Sequence, residues 1–263
     1  MTRVWDRGLL SERRGPVGYY PIFLEVGDKP VLLVGGGHVA LEKIGRLVDS
    51  GAAVTVVAPD LLPPVRAFVD AGRARWLSRP FEAGDTAGYD LVMVATDDGE
   101  VNRTVADEAR SRGILVNAAD DVANCDFILG SLARKGDLQI TASTGGGSPA
   151  MARWLRERLE EFLSDDVQAL GDLLAEVRRD VRVMDRECAA SCTRTKTPPP
   201  LLCEECPNRI PADRWQEAIN GGVYELVRAG RRDEARAMLI AGLGRTALTP
   251  APWWDTSRTE ASR

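Results

Sequence analysis

Short apolar runs alternate with amphipathic stretches through the first half of the chain. Val31-Leu32-Leu33-Val34, Val54-Thr55-Val56-Val57, Asp90-Leu91-Val92-Met93-Val94-Ala95 and Ile114-Leu115-Val116-Asn117 carry apolar residues at successive positions, as strands covered on both faces do. Helical stretches lie between them. Leu41, Ile44, Leu47 and Val48 share one side of a helix closed by Gly51; a second helix runs around Val65 to Val69 and a third from Val101 to Arg112. A further strand is expected at Ala74 to Leu77. A short leading strand is expected at Pro21 to Val26, before the turn Gly27-Asp28-Lys29-Pro30. Strands alternating with helices predict an α/β fold on a doubly wound parallel sheet.

The rhythm changes after Asn117. Phe127 to Ala133 and Leu138 to Ser143 read as strands joined by the turn Arg134-Lys135-Gly136-Asp137, a hairpin that breaks the strand–helix alternation. From Pro149 the pattern is helical: Met151, Trp154, Leu155, Leu159 and Phe162 share one face, then Val167, Leu170, Leu174, Val177 and Val181. A segment with Pro198-Pro199-Pro200 interrupts this half, and Trp215, Ile219, Val223, Leu226 and Val227 resume it. The expected organisation is an N-terminal extension (1–18), a nucleotide-binding domain (19–120), a small hairpin region (121–150), a helical region (151–245) and a tail (246–263).

Charge and hydropathy narrow the function classes. A net charge of −5 argues against a nucleic-acid partner, which needs a basic surface. No apolar run approaches the ~20 residues of a membrane helix, and Met1 to Gly18 has no signal-peptide core. The expected location is cytoplasmic.

Gly35-Gly36-Gly37-His38-Val39-Ala40 fits G-x-G-x-x-A between a buried strand and a helix. Gly35 permits the tight turn, Gly37 lets a pyrophosphate approach the backbone, and Ala40 lets the helix pack closely on the strand. Free N–H groups at the helix start, at His38 and Val39, face the phosphates. The acidic residue expected about 20 positions on is Asp60, on the ribose hydroxyls; the competing reading makes it the N-cap of a helix starting near Leu61. No Arg directly follows that strand, which favours NAD over NADP. His38, the only histidine, reads either as a phosphate donor or as an exposed loop residue, which leaves acid–base chemistry to carboxylates. Thr96-Asp97-Asp98, with Asn102 one turn into the next helix, follows a strand at its carboxyl end and is expected to line the nicotinamide half of the site.

Taken in order, these motifs carry a resemblance: Tyr20-Pro21-Ile22-Phe23; Val34 to Ala40 with Lys43; Ala95-Thr96-Asp97-Asp98 with Val101-Asn102; Val116-Asn117 with Asp120; Phe127; and Ser143-Thr144-Gly145-Gly146-Gly147-Ser148-Pro149-Ala150 running into Arg153 and Arg156. Between Tyr19 and Leu163 the chain resembles the dehydrogenase/chelatase unit of siroheme synthases and its free-standing relatives. The resemblance implies a homodimer with a Rossmann domain, a hairpin dimerisation region and a helical C-terminal region. It implies NAD-dependent oxidation of precorrin-2, a tetrapyrrole, to sirohydrochlorin, and in some members insertion of ferrous iron at the same cleft. Asp120 matches the family's catalytic aspartate, with Asp121 as the fallback; read without the family, Asp120 is a turn or capping residue. A carboxylate beside the nicotinamide suits the chemistry, because the oxidation releases a hydride and protons.

The loop Thr144-Gly145-Gly146-Gly147-Ser148 precedes a helix bearing Arg153 and Arg156. Its N–H groups and arginines suit the carboxylates of such a substrate; equally, Ser148 and Pro149 read as the N-cap and first residue of that helix. Cys188, Cys192, Cys203 and Cys206 supply the four thiols of a tetrahedral zinc site or an iron–sulfur cluster, or else redox-labile thiols; the resemblance does not reach them. The competing function is a non-catalytic module that senses NAD and docks a partner through the cysteine segment.

Overall fold

The computed structural model describes residues 18–119, 124–190 and 209–244. Strands β1 (Pro30–Val34), β2 (Ala53–Ala58), β3 (Arg75–Ser78), β4 (Leu91–Val94) and β5 (Leu115–Ala118) form one parallel sheet in the order β3-β2-β1-β4-β5. Helices α1 (His38–Asp49), α2 (Pro63–Asp70) and α3 (Gly99–Ser111) cover it. Val31 and Leu33 of β1 enter one core with Ile44 of α1 and Val65 of α2; Leu32 and Val34 enter the other with Val105 and Ala109 of α3. Both faces of the central strands are therefore dry, which is why their sequence shows runs rather than alternation. The chain leaves β1 toward β2 on one side and returns to β4 on the other, so the sheet's switch point lies between the carboxyl ends of β1 and β4.

The connection from β3 to β4 contains no helix. Arg79 pairs with Asp85 at 2.7 Å, and Glu108 of α3 accepts hydrogen bonds from the N–H of Gly84 at 2.8 Å and of Thr86 at 3.1 Å. The Arg79 hydrogen bond holds the Asp85 carboxyl below its ordinary value. Burial pushes Glu108 up, but the donors of Gly84 and Thr86 and the charge of Arg112 together outweigh it and leave Glu108 lowered.

The chain divides into two compact units between Leu129 and Gly130. In the second, β6 (Ser131–Lys135) and β7 (Leu138–Ala142) form an antiparallel hairpin, followed by α4 (Pro149–Phe162) and α5 (Asp165–Ala190). Then come α6 (Ala212–Ala218), a π-helical turn at Ile219–Val223, α7 (Tyr224–Arg228) and α8 (Arg232–Gly242). Leu173, Val177 and Val181 of α5 bury against Val223, Ala235 and Leu239. Gly222, at φ 105°, bends the chain within the π turn.

Two sequence expectations are corrected. Pro21 to Val26 is not a strand: Tyr20 and Phe23 are exposed and only Val26 is buried. High β-propensity does not suffice without a partner, and β1 is already paired on both sides. The first hairpin strand starts at Ser131 rather than Phe127, because Phe127 packs on the core of the first unit and its carbonyl accepts from Asn117. The turn tightens to Gly136-Asp137, with Gly136 at φ 56°, as a two-residue hairpin turn with glycine first requires. Helix α4 forms as expected, and its apolar face has no buried residue: Met151, Trp154 and Phe162 are all exposed.

Candidate functional site: a dinucleotide cleft at the sheet's carboxyl edge

The glycine turn sits at the carboxyl end of β1, at the switch point. Gly35 adopts φ 112°, and a Cβ there would lie 2.3 Å from the carbonyl oxygen of Ala95, so only glycine lets β1 and β4 leave the sheet side by side. Gly36 is held as tightly. Its Cβ would lie 2.2 Å from the carbonyl oxygen of Asp60, while its own carbonyl accepts from the N–H of Leu62 at 2.9 Å. Gly37 differs: a Cβ there meets nothing within 4 Å, so the protein's own packing does not demand a glycine. An open backbone at the start of a helix is what a pyrophosphate needs for close approach. Gly37 caps α1 without a side-chain hydrogen bond, and the first turn carries no acidic residue, so no carboxylate competes with a phosphate for its N–H groups. His38 is exposed, Val39 half-buried, and Ala40 fully buried against β1.

The N-cap reading of Asp60 is corrected. Helix α2 begins at Pro63 with Leu62 at its cap, and no side chain caps it. Asp60 is exposed, two residues beyond β2; it makes no ion pair or side-chain hydrogen bond among the described residues, and its backbone abuts Gly36. A carboxylate there is available to hydroxyl donors.

Beyond β4, the Thr96 hydroxyl donates to Asn102 Oδ1 at 2.7 Å and Asn102 Nδ2 donates to the Thr96 carbonyl at 3.1 Å. Asn102 is buried, and its amide holds the loop in shape. Asp98 caps α3, accepting from the N–H of Glu100 and Val101 at 2.9 and 3.1 Å. Asp97 is exposed between these fixed points. Asp120 and Asp121 lie outside the described residues.

In the second unit, Ser148 caps α4 by accepting from the Met151 N–H at 3.2 Å, and Pro149 occupies the first turn. The Thr144 hydroxyl oxygen accepts from the Ser148 N–H at 3.0 Å. Gly145 and Gly146 take positive φ and close the loop. Arg153 pairs with Glu157 at 3.0 Å, and Arg156 pairs with Glu160. Both arginines are therefore surface ion-pair members, weakly held and open to exchange for a ligand carboxylate. Cys188 is half-buried on α5, while Cys192, Cys203 and Cys206 lie outside the described residues. Among the described residues no group of three His, Cys, Asp or Glu is arranged to hold a metal, and no helix is long and apolar enough to cross a membrane.

Sequence reading missed the demand on Gly36. The signal was present: three consecutive glycines stand where the fingerprint asks for two. It also assigned no task to Lys43 and Asn117, which meet at 2.6 Å in the interior.

Comparison with known proteins agrees with this geometry. Residues 22–131 match the family described as "Putative NAD(P)-binding", and residues 135–161 match "Sirohaem biosynthesis protein central". The chain is 36% identical over 238 residues to a siroheme synthase of Methylococcus capsulatus, covering 90% of this chain and 46% of the relative. It is 41% identical over 162 residues to a siroheme synthase of Methylobacillus flagellatus, covering 62% of this chain and 35% of the relative. The chain thus spans less than half the length of these curated relatives. Among solved structures, "SirC, precorrin-2 dehydrogenase" superposes with a TM-score of 0.60 at 22% identity, covering 85% of this chain and 100% of that one. At that identity the match shows the fold.

Proposed function

We propose that this chain oxidises precorrin-2 to sirohydrochlorin with NAD⁺, because it matches an NAD(P)-binding and a sirohaem-biosynthesis family model and is 36% identical to a siroheme synthase. The observation that carries the reading is Gly37, a glycine that packing does not require, opening the start of α1 beside the available carboxylate of Asp60. The bound dinucleotide supplies a hydride acceptor at its nicotinamide ring.

The chain's own residues do the rest. Gly35, Gly37 and the first N–H groups of α1, at His38, Val39 and Ala40, receive the pyrophosphate; Asp60 accepts from the adenosine ribose hydroxyls and disfavours a 2′-phosphate. Thr96, Asp97 and Asn102 form the wall at the carboxyl end of β4, the nicotinamide side of the switch point. Asp120 takes the proton that leaves as the macrocycle gives up its hydride; it then releases that proton to solvent, so substrate and NAD⁺ yield product, NADH and H⁺. Thr144, Gly145, Ser148, Arg153 and Arg156 receive substrate carboxylates. Ferrous iron, as a second substrate, enters the product at the same cleft once the pyrrole nitrogens lose their protons.

Two further parts belong to the proposal. The exposed Met151, Trp154 and Phe162 of α4, beside a two-stranded sheet too small to be stable alone, support a homodimer through this region. The thiols of Cys188, Cys192, Cys203 and Cys206 are read as one zinc or iron–sulfur site, supported by their sequence spacing. The proposal places the enzyme in the cytoplasm, with no membrane or nucleic-acid partner. Turnover of precorrin-2 with NAD⁺ by the purified chain tests the reaction, and addition of Fe²⁺ tests the insertion step.

A further inference from the structure

Lys43 lies on the buried side of α1, one turn beyond Ala40, and is only 7% exposed. Its Nζ donates to Asn117 Oδ1 at 2.6 Å. Asn117, also buried, sits in β5 in register with Met93 of β4. On the far side of its amide, Nδ2 donates to the Phe127 carbonyl at 2.9 Å and to Cys125 Sγ at 3.5 Å, and the Cys125 thiol donates to the Ala118 carbonyl at 2.9 Å. One chain of contacts therefore runs from the cofactor helix to the end of β5 and to the segment packed beside it.

The choice of lysine has a reason. A carboxamide has nearly the same shape either way round, so packing alone does not fix its orientation. An ammonium has donors and no acceptor, so it admits only the oxygen of Asn117 and turns the nitrogen toward Phe127. Reversed, the amide would set oxygen against the Phe127 carbonyl and N–H against the ammonium.

We propose that Lys43 is a positioning residue for the oxidation. Through Asn117 it holds Cys125 to Phe127 and the end of β5 in one place relative to α1, so that the wall beside the nicotinamide keeps its geometry when the dinucleotide binds. The proposal rests on the reading of this edge as the active cleft.

Lys43→Met, Lys43→Gln and Lys43→Arg separate the possibilities. Glutamine both donates and accepts, so it leaves Asn117 free to reverse; arginine is donor-only and restores the orientation. Lys43→Met and Lys43→Gln are expected to lose about tenfold or more in kcat, as a misplacement of about 1 Å does, while the KM for NAD⁺ stays within about threefold. Lys43→Arg recovers part of the loss even where its melting temperature is the lowest of the three. A readout independent of turnover uses Cys125: NAD⁺ slows its alkylation in the wild-type chain, followed by peptide mass, and that protection disappears in Lys43→Met. Asn117→Asp, which keeps the Lys43 contact but repels the Phe127 carbonyl, loses it too and serves where a Lys43 variant does not fold. Parallel loss of NAD⁺ affinity and kcat overturns the assignment, as does a kcat ranking that follows melting temperature. So does Cys125 protection that is absent from the wild type or survives in Lys43→Met. A wild-type chain that protects Cys125 yet leaves precorrin-2 unchanged removes the reading of the reaction, and the alkylation arm still decides the role of Lys43.

Discussion

Gly36 and Asp60 are in contact: the glycine has no room for a methyl group because the aspartate's carbonyl oxygen would lie 2.2 Å from it. The turn proposed to receive the pyrophosphate and the loop proposed to present the ribose carboxylate are thus one unit, joined again by the Leu62 N–H on the Gly36 carbonyl at 2.9 Å.

Substitutions at neighbouring glycines should therefore fail differently. Gly36→Ala is expected to destabilise the first unit by about 1–3 kcal/mol, as overpacking against backbone does, and to weaken NAD⁺ binding by displacing Asp60. Gly37→Val should melt near the wild-type temperature, since a Cβ there meets no protein atom within 4 Å, and should lose NAD⁺ binding. Thermal melts with titration of NAD⁺ check both; unchanged affinity in a folded Gly37→Val rejects this turn as the pyrophosphate site.

Asp60→Ala should weaken NAD⁺ binding by about tenfold or more, the loss of a charged hydrogen bond worth about 1.5–3 kcal/mol. It should also narrow the preference for NAD⁺ over NADP⁺, because the repulsion of a 2′-phosphate goes with the carboxylate. Equal loss for both cofactors would place Asp60 elsewhere than at the ribose.

How far the sequence carried this picture depends on which force shaped each part. The parallel sheet was readable because burial on both faces writes uninterrupted apolar runs, as in Val31 to Val34. The roles of Gly35 and Ala40 were readable because the fingerprint names them. Pro21 to Val26 misled because its apolar residues signal a strand whose partner the sequence does not specify. Asp60 stayed ambiguous because a cap and a ribose ligand ask for the same residue type; the start of α2 at Pro63 removes the cap and leaves the ribose role as a proposal. The pairing of Lys43 with Asn117 joins residues 74 positions apart, which no local pattern announces.

Stability should depend on pH through the β3–β4 connection. Glu108 and Asp85 both titrate lower in the fold than their ordinary values of 4.5 and 3.8, so the unfolded chain binds more protons across that range. Their contribution is fully present above the ordinary values and is lost as pH falls through them toward the folded ones. Urea unfolding should show a plateau near neutrality and a decline below about pH 4.5, and Glu108→Gln should be less stable at neutrality with a shallower decline. An unchanged slope in Glu108→Gln would contradict this.

The thiol segment predicts bound metal. Protein purified anaerobically should carry about one zinc, or a coloured iron–sulfur cluster, per chain, lost in Cys203→Ser with Cys206→Ser. Elemental analysis without metal would reject the site. Precorrin-2 oxidation that survives metal loss would make it a structural one.

The central claim is oxidation of precorrin-2 with proton transfer to Asp120, and the most direct measurement is NADH formation at 340 nm in the presence of precorrin-2 and NAD⁺. The wild-type chain should produce NADH in step with the absorbance of sirohydrochlorin. Asp120→Asn should bind both ligands and lose about 10²–10⁴-fold in kcat, as removal of a general base does, with Asp121→Asn much milder. Near-wild-type turnover in Asp120→Asn would contradict the mechanism, and no NADH from the wild-type chain would contradict the function itself.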